Sequence, residues 1–134
     1  MVEWKQSGRF IKMTAKKVKL PGEDYTKQIR ARFWLAGHNG GYVGIGRVEL
    51  LEHIAEQGSI NRAAKKMGMS YKKAWKLIEE LNSMYENPLV VKEQGGKLGG
   101  GTQLTVHGEK LIKEFRQLEV ELIEFLASKT IVSK

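Results

Sequence analysis

Between Gly58 and Asn82 the chain reads GSINRAAKKMGMSYKKAWKLIEELN, and Arg62, Lys65, Lys66, Lys72, Lys73 and Lys76 all precede the first acid, Glu79. Guanidinium and ammonium groups with no carboxylates among them are suited to attracting phosphate. Groups suited to catalysis are sparse by comparison. There are no cysteines, which removes disulfides, thiolate zinc sites and thiol nucleophiles. His38, His53 and His107 show no metal-ligand spacing with one another or with acids, so no metal site, no cofactor and no enzymatic site is expected. The run Gly95-Gly96-Lys97-Leu98-Gly99-Gly100-Gly101 departs from a nucleotide-phosphate loop because Leu98, not Ser or Thr, follows Lys97. Its glycines suit a wing whose backbone approaches phosphates or a minor groove, with Lys97 as the charged contact. A merely mobile loop is the plainer alternative.

The elements that would position these cations can be read locally. Gly58 stands where a left-handed helix end is wanted, and Ser59 can cap a helix over Ile60 to Met67. Gly68 permits the turn, and Ser70 can cap a second helix running to about Tyr85. Ala63 and Ala64 are small enough for close helix approach, while Met67, Met69, Ala74, Ile78 and Leu81 supply apolar contacts. At 3.6 residues per turn, Lys72 and Lys76 project away from the Ala74, Ile78 and Leu81 face. Ser70, Tyr71 and Lys73 fall at the helix N-terminus, the end that meets base edges when such a helix enters a major groove. The expected DNA-contacting set is therefore Ser59, Arg62, Lys65, Lys66, Ser70, Tyr71, Lys72, Lys73, Lys76 and Lys97. A helical hairpin with a solvated lysine face is the alternative. Trp75, on the flank of the second helix, is expected to pack against the first helix or the wing.

Around this motif the chain suggests further elements. Residues 1–25 give no clear period, contain a turn signal at Pro21-Gly22, and read as a basic, partly extended arm. Lys27 to Ala36 alternates like a half-buried strand, Asn39-Gly40 offers a tight turn, and Gly41 to Ile45 can return as a second strand. Arg47 to Gln57 reads as a helix with Val48, Leu51, Ile54 and Ala55 on one face. After Pro88, Leu89 to Val91 and Gln103-Leu104 can pair around the glycine tip, and Thr105 can cap a last helix from Val106 to about Ala127. This order predicts a mainly α fold with small β: a winged helix-turn-helix with an N-terminal hairpin and a long C-terminal helix. The expected organisation is an arm over 1–26, the winged motif over 27–105, and a dimerisation helix and tail over 106–134. That helix carries Leu111, Phe115, Leu118, Leu122 and Phe125 at spacings of four and three, a stripe expected to join two copies, with packing onto the domain's own core as the alternative. A two-fold dimer would match a palindromic site.

The 134 residues suggest one domain with an appended element, and no apolar run approaches a membrane span or a secretory signal, so a cytoplasmic protein with no membrane partner is expected. The net charge of +8 favours a polyanionic partner. It is unevenly spread: residues 1–30 carry eight basic and three acidic side chains, 59–86 six and three, and 107–134 five and five.

Gly58-Ser59-Ile60, Ser70-Tyr71-Lys72, Ala74-Trp75, Leu81-Asn82, Gly95-Gly96, Gly99-Gly100-Gly101, Leu104-Thr105 and Gly108 together resemble the N-terminal DNA-binding domain of ModE-type molybdate-responsive regulators over about residues 28–127. Through Ala63-Ala64 and Ile78 the similarity extends to the winged helix of LysR-type regulators. The resemblance implies a dimeric transcription regulator in which Ser70, Tyr71 and Lys72 meet double-stranded DNA and the wing around Lys97 touches flanking backbone. It further implies target operons for molybdate uptake or molybdenum-cofactor use. The family's C-terminal oxyanion-binding region has no counterpart before Lys134, so molybdate sensing is not carried over and any small-molecule effector stays open. Two other functions fit the composition: a small-oxyanion binder or metal-homeostasis accessory protein using the glycine loop, and a sequence-indifferent nucleic-acid binder driven by charge.

Overall fold

The computed structural model describes residues 29–93 and 101–129, together with the backbone of 2–6 and 9–13. Pro21-Gly22, Lys27 and the glycine tip with Lys97 lie outside the described residues. The chain divides into two compact units, residues 34–112 and residues 1–33 with 113–134.

In the 34–112 unit, β3 (Leu35–Ala36) and β4 (Tyr42–Val43) pair antiparallel around a 3-10 turn at His38–Gly40. Asn39 and Gly40 hold φ of 62° and 74°, the positive region that the Asn-Gly pair tolerates. The ladder is shorter than the alternation over Lys27 to Ala36 predicts. Trp34 would face Gly44, and Gly44 already serves as the extended N-cap of α1 (Ile45–Gln57), so pairing stops there. The alternation itself persists without a ladder: Ala31, Phe33 and Leu35 are half-buried while Arg32, Trp34 and Ala36 are exposed.

α1 begins two residues earlier than its apolar period suggests and buries Ile45, Val48, Leu50, Leu51 and Ile54, whereas Ala55 is exposed. It ends at Gly58, whose φ of 66° lets its N–H reach the Ile54 carbonyl at 2.8 Å. α2 (Ile60–Lys66) packs on α1, and α3 (Tyr71–Ser83) packs on α2. β5 (Val90–Lys92) and β6 (Thr102–Leu104) form an antiparallel pair, with β6 packed on α1. One further bond ties this pair to the helices: the Thr102 N–H donates to the carbonyl of Gly58, in the α1–α2 link, at 3.0 Å.

α4 (Val106–Ala127) starts in this unit, capped by Thr105 as its sequence predicts. The Thr105 hydroxyl accepts from the Gly108 N–H at 3.1 Å and donates to the Pro88 carbonyl at 2.7 Å. The core of the unit is mainly apolar, with Ile60, Ala63, Ala64, Ala74, Ile78, Leu81, Met84, Leu89, Val90, Leu111 and Ile112 all buried, and Thr102 is a buried polar residue beside them.

The other unit contains a hairpin of β1 (Val2–Gln6) and β2 (Arg9–Met13), in register from Val2 opposite Met13 to Gln6 opposite Arg9. Val2–Gln6 and Arg9–Met13 of the arm are thus paired strands, a regularity the sequence pattern does not display. In the same unit Phe33 stacks on Phe115 of α4, with ring centroids 4.5 Å apart and planes at 22°. Arg116 and Glu119 are fully buried and joined at 2.8 Å, a pair that charge counting would place in water.

Candidate nucleic-acid interface

The helix-turn-helix is built by local rules. The Ser59 side chain accepts from the Arg62 N–H at 3.2 Å, closing the open end of α2. At the other end Gly68, with φ of 68°, donates to Lys65 O at 3.1 Å while Met69 donates to Ala64 O at 3.0 Å. This paired closure fixes the direction in which the chain leaves α2. The Ser70 side chain then accepts from the Lys73 N–H at 3.1 Å and starts α3. Each serine hydroxyl thus accepts one bond as a cap and keeps its own proton to donate elsewhere.

The two helices bury Ile60, Ala63 and Ala64 of α2 and Ala74, Ile78 and Leu81 of α3. What remains outward is cationic: Arg62, Lys65 and Lys66 on α2, and Lys72, Lys73 and Lys76 on α3 are all exposed, as are Ser70 and Tyr71. Ser59 is half-buried. Lys65 and Lys66 occupy the last turn of α2, where a cation complements the helix dipole. Lys72 and Lys73 occupy the first turn of α3, which contains no acid, and there the dipole opposes them. Local helix stability does not explain that placement, whereas an approaching phosphate would.

The wing is locked to α3 by Asn82. Its side-chain oxygen accepts from the N–H groups of Leu89 at 2.8 Å and Val90 at 3.1 Å, and its amide donates to Val90 O at 3.0 Å. Gly108 lies so close to the other side of this crossing that a Cβ would collide with the Leu89 carbonyl. Trp75 is half-buried, and the Lys92 ammonium of β5 sits 4.2 Å over its ring. Arg47 of α1 reaches Glu80 of α3 at 3.7 Å, a partly exposed pair of modest worth.

Among the described residues no cluster of His, Asp or Glu could hold a metal, and no helix is long and apolar enough to cross a membrane. His53 on α1 has a buried Nδ1 with no hydrogen-bond partner, and His107 is exposed. The stripe of α4 is divided. Leu111 and Phe115 are buried in the chain itself, Leu122 is half-buried, and Leu118 and Phe125 are 45% and 56% exposed.

The family model of bacterial regulatory helix-turn-helix proteins of the lysR family matches residues 45–109, the span from α1 to the start of α4. Molybdenum transport protein ModE of Azotobacter vinelandii is 51% identical over 75 residues, which are 56% of this chain and 28% of that protein. The DNA-binding transcriptional dual regulator ModE of Escherichia coli K12 is 51% identical over 67 residues, half of this chain and 26% of its own length. Over about half of its length this chain is thus similar to ModE proteins and to lysR-family helix-turn-helix regulators. The molybdenum-pterin-binding protein MopB of Rhodobacter capsulatus matches more of it, 40% over 98 residues, or 73% of this chain and 36% of the relative. The chain thus spans about a quarter to a third of the relatives it matches.

In this chain three features escape residue-by-residue reading of the interface. Asn82 acts across seven and eight residues through its side chain, Gly108 matters by close approach, and Lys92 reaches α3 from a strand. Asn82 and Gly108 do stand among the residues that carry the family resemblance. Lys92 has no such signal.

Proposed function

We propose that this chain is a dimeric DNA-binding transcription regulator of the ModE type, acting in the cytoplasm and reading a palindromic operator through α3. The carrying observation is the first turn of α3, where exposed Ser70, Tyr71, Lys72 and Lys73 stand at a helix start without an acid. Lys76 continues that outward face one turn on, and Arg62, Lys65 and Lys66 supply further phosphate attraction from α2. Lys97 belongs to this reading as the wing contact. The similarity to proteins named for molybdenum transport and DNA-binding regulation supports operators upstream of genes for molybdate uptake or molybdenum metabolism. The exposed Leu118 and Phe125 with Leu122 are the proposed seam between two copies, while Leu111 and Phe115 support that seam from within the chain. The function is binding, with no catalytic step.

Fluorescence anisotropy with a duplex from the region upstream of the gene, a scrambled duplex and a salt series tests the proposal. Binding at least about a thousand-fold tighter to the first duplex is the expected result for a sequence reader. Equal, steeply salt-dependent binding to both would replace the operator reading with charge-driven binding. Absence of binding at low salt would overturn the nucleic-acid reading altogether.

A further inference from the structure

The Lys92–Trp75 contact adds a cation to the interface from an unexpected place. Lys92 is exposed, and its ammonium lies 4.2 Å over the indole of Trp75. Among the described residues no carboxylate forms an ion pair with it. A lysine in that setting would ordinarily sweep a wide arc in water, because its four-carbon stem is flexible. Here the ring face holds the charge at one place.

That place is defined by three elements. Lys92 pairs in register with Thr102, and Thr102 is buried and bonded through its N–H to Gly58, the residue before the α2 cap. Two residues back, Val90 is held by Asn82 of α3. The strand carrying Lys92 is therefore anchored both to the head of α2 and to the end of α3. On α3, 100° per residue puts Trp75 about 60° round from Lys72, on the flank of the outward cationic face. Glu93, the next residue along, falls on the opposite side of the strand by the two-residue period.

We propose that Lys92 is a phosphate contact of this interface and that Trp75 is its positioning residue, holding the ammonium at the junction between α3 and the wing. The inference rests on the DNA-binding reading above. The indole makes a sequence-neutral contact rigid before DNA arrives, so less side-chain freedom is lost on binding. Trp75 thereby serves the interface without touching a base.

The test uses the full chain, a random-sequence duplex, and the variants Lys92→Met, Trp75→Leu and the double variant. A phosphate contact does not depend on sequence, so no operator is needed. Lys92→Met is expected to lower the slope of log K against log salt by about 0.9 and to weaken binding several-fold at low salt. Trp75→Leu should weaken binding by less, and the double variant should bind like Lys92→Met alone, because the ring acts through the lysine. Thermal unfolding of each variant identifies any loss of fold, and Trp75→Phe, which keeps an aromatic face, should restore most of the affinity. An unchanged salt slope in a folded Lys92→Met protein would overturn the assignment of Lys92. Additive losses in the double variant would overturn the role of Trp75. If the unaltered chain binds no duplex at low salt, the DNA-binding reading itself falls, and the inference with it.

Discussion

α3 buries Ala74, Ile78 and Leu81 and turns Lys72, Lys73 and Lys76 outward, whereas α4 beyond Lys113 buries Arg116 and Glu119 and leaves Leu118 and Phe125 in the open. Both helices are amphipathic, but only the first follows the ordinary sorting of charge outside and hydrocarbon inside. A buried ion pair and an exposed large apolar side chain are the informative departures, since scattered surface hydrocarbon is otherwise common. On α3 the uncovered surface is suited to a polyanion. On α4 it is suited to more hydrocarbon, and the proposed second copy of the chain supplies it. The difference teaches that two faces of one small chain can be assigned to different partners from what each leaves unsatisfied.

The contrast is tested most severely at Arg116. Arg116→Met strands the Glu119 carboxylate in the interior, and a loss of about 3–5 kcal/mol in denaturant unfolding is expected. A near-neutral change would mean the pair is not sealed from water. Next in size is Gly108→Ala, which forces a Cβ into the Leu89 carbonyl and is expected to cost about 3 kcal/mol, read by calorimetry. Retained stability there would show that the start of α4 can shift away from the wing. Leu118→Asp should shift sedimentation toward monomer and weaken operator binding about tenfold or more, with its melting temperature nearly kept. A dimer of normal affinity would place the seam elsewhere. The smallest expected effect on the fold is at Lys76→Ala, within about 0.5 kcal/mol, with a salt slope lower by about 0.9 and the oligomeric state unchanged. If this variant also dissociated the dimer, the two faces would not be separable.

Legibility in the sequence follows how far each signal reaches. As caps and turn residues, Ser59, Ser70, Thr105, Gly58 and Gly68 act within a turn or so of their own positions, and each occupies the local role its residue type suggests, whatever longer-range bonds Thr105 and Gly58 also make. The helix pair was readable for the same reason. Features made by meetings between distant residues were not. The pairing of Val2–Gln6 with Arg9–Met13 lacks a clean alternation, although the Ser7-Gly8 dipeptide between the runs is a turn signal. Nothing in the balanced charges of the last helix marks Arg116 and Glu119 as interior, because burial depends on what covers them. Leu111 and Phe115 share the spacing of Leu118 and Phe125, and only packing separates the inward pair from the outward one. Of the ten residues expected at the interface, nine lie in the described helix-turn-helix; the tenth, Lys97, lies outside the described residues.

The bond from Thr102 to Gly58 joins positions 44 residues apart, while the closures around α2 span three to five. Ring closure over a longer stretch of chain is entropically dearer, so short-range structure condenses first and long-range docking follows. The helix pair should accordingly be formed in the folding transition state before the wing is seated. In φ-value experiments this appears as high values for substitutions in α2 and values near zero at Thr102, and the reverse order would refute it. Damage to the wing is then expected mainly to hasten unfolding, with little slowing of refolding.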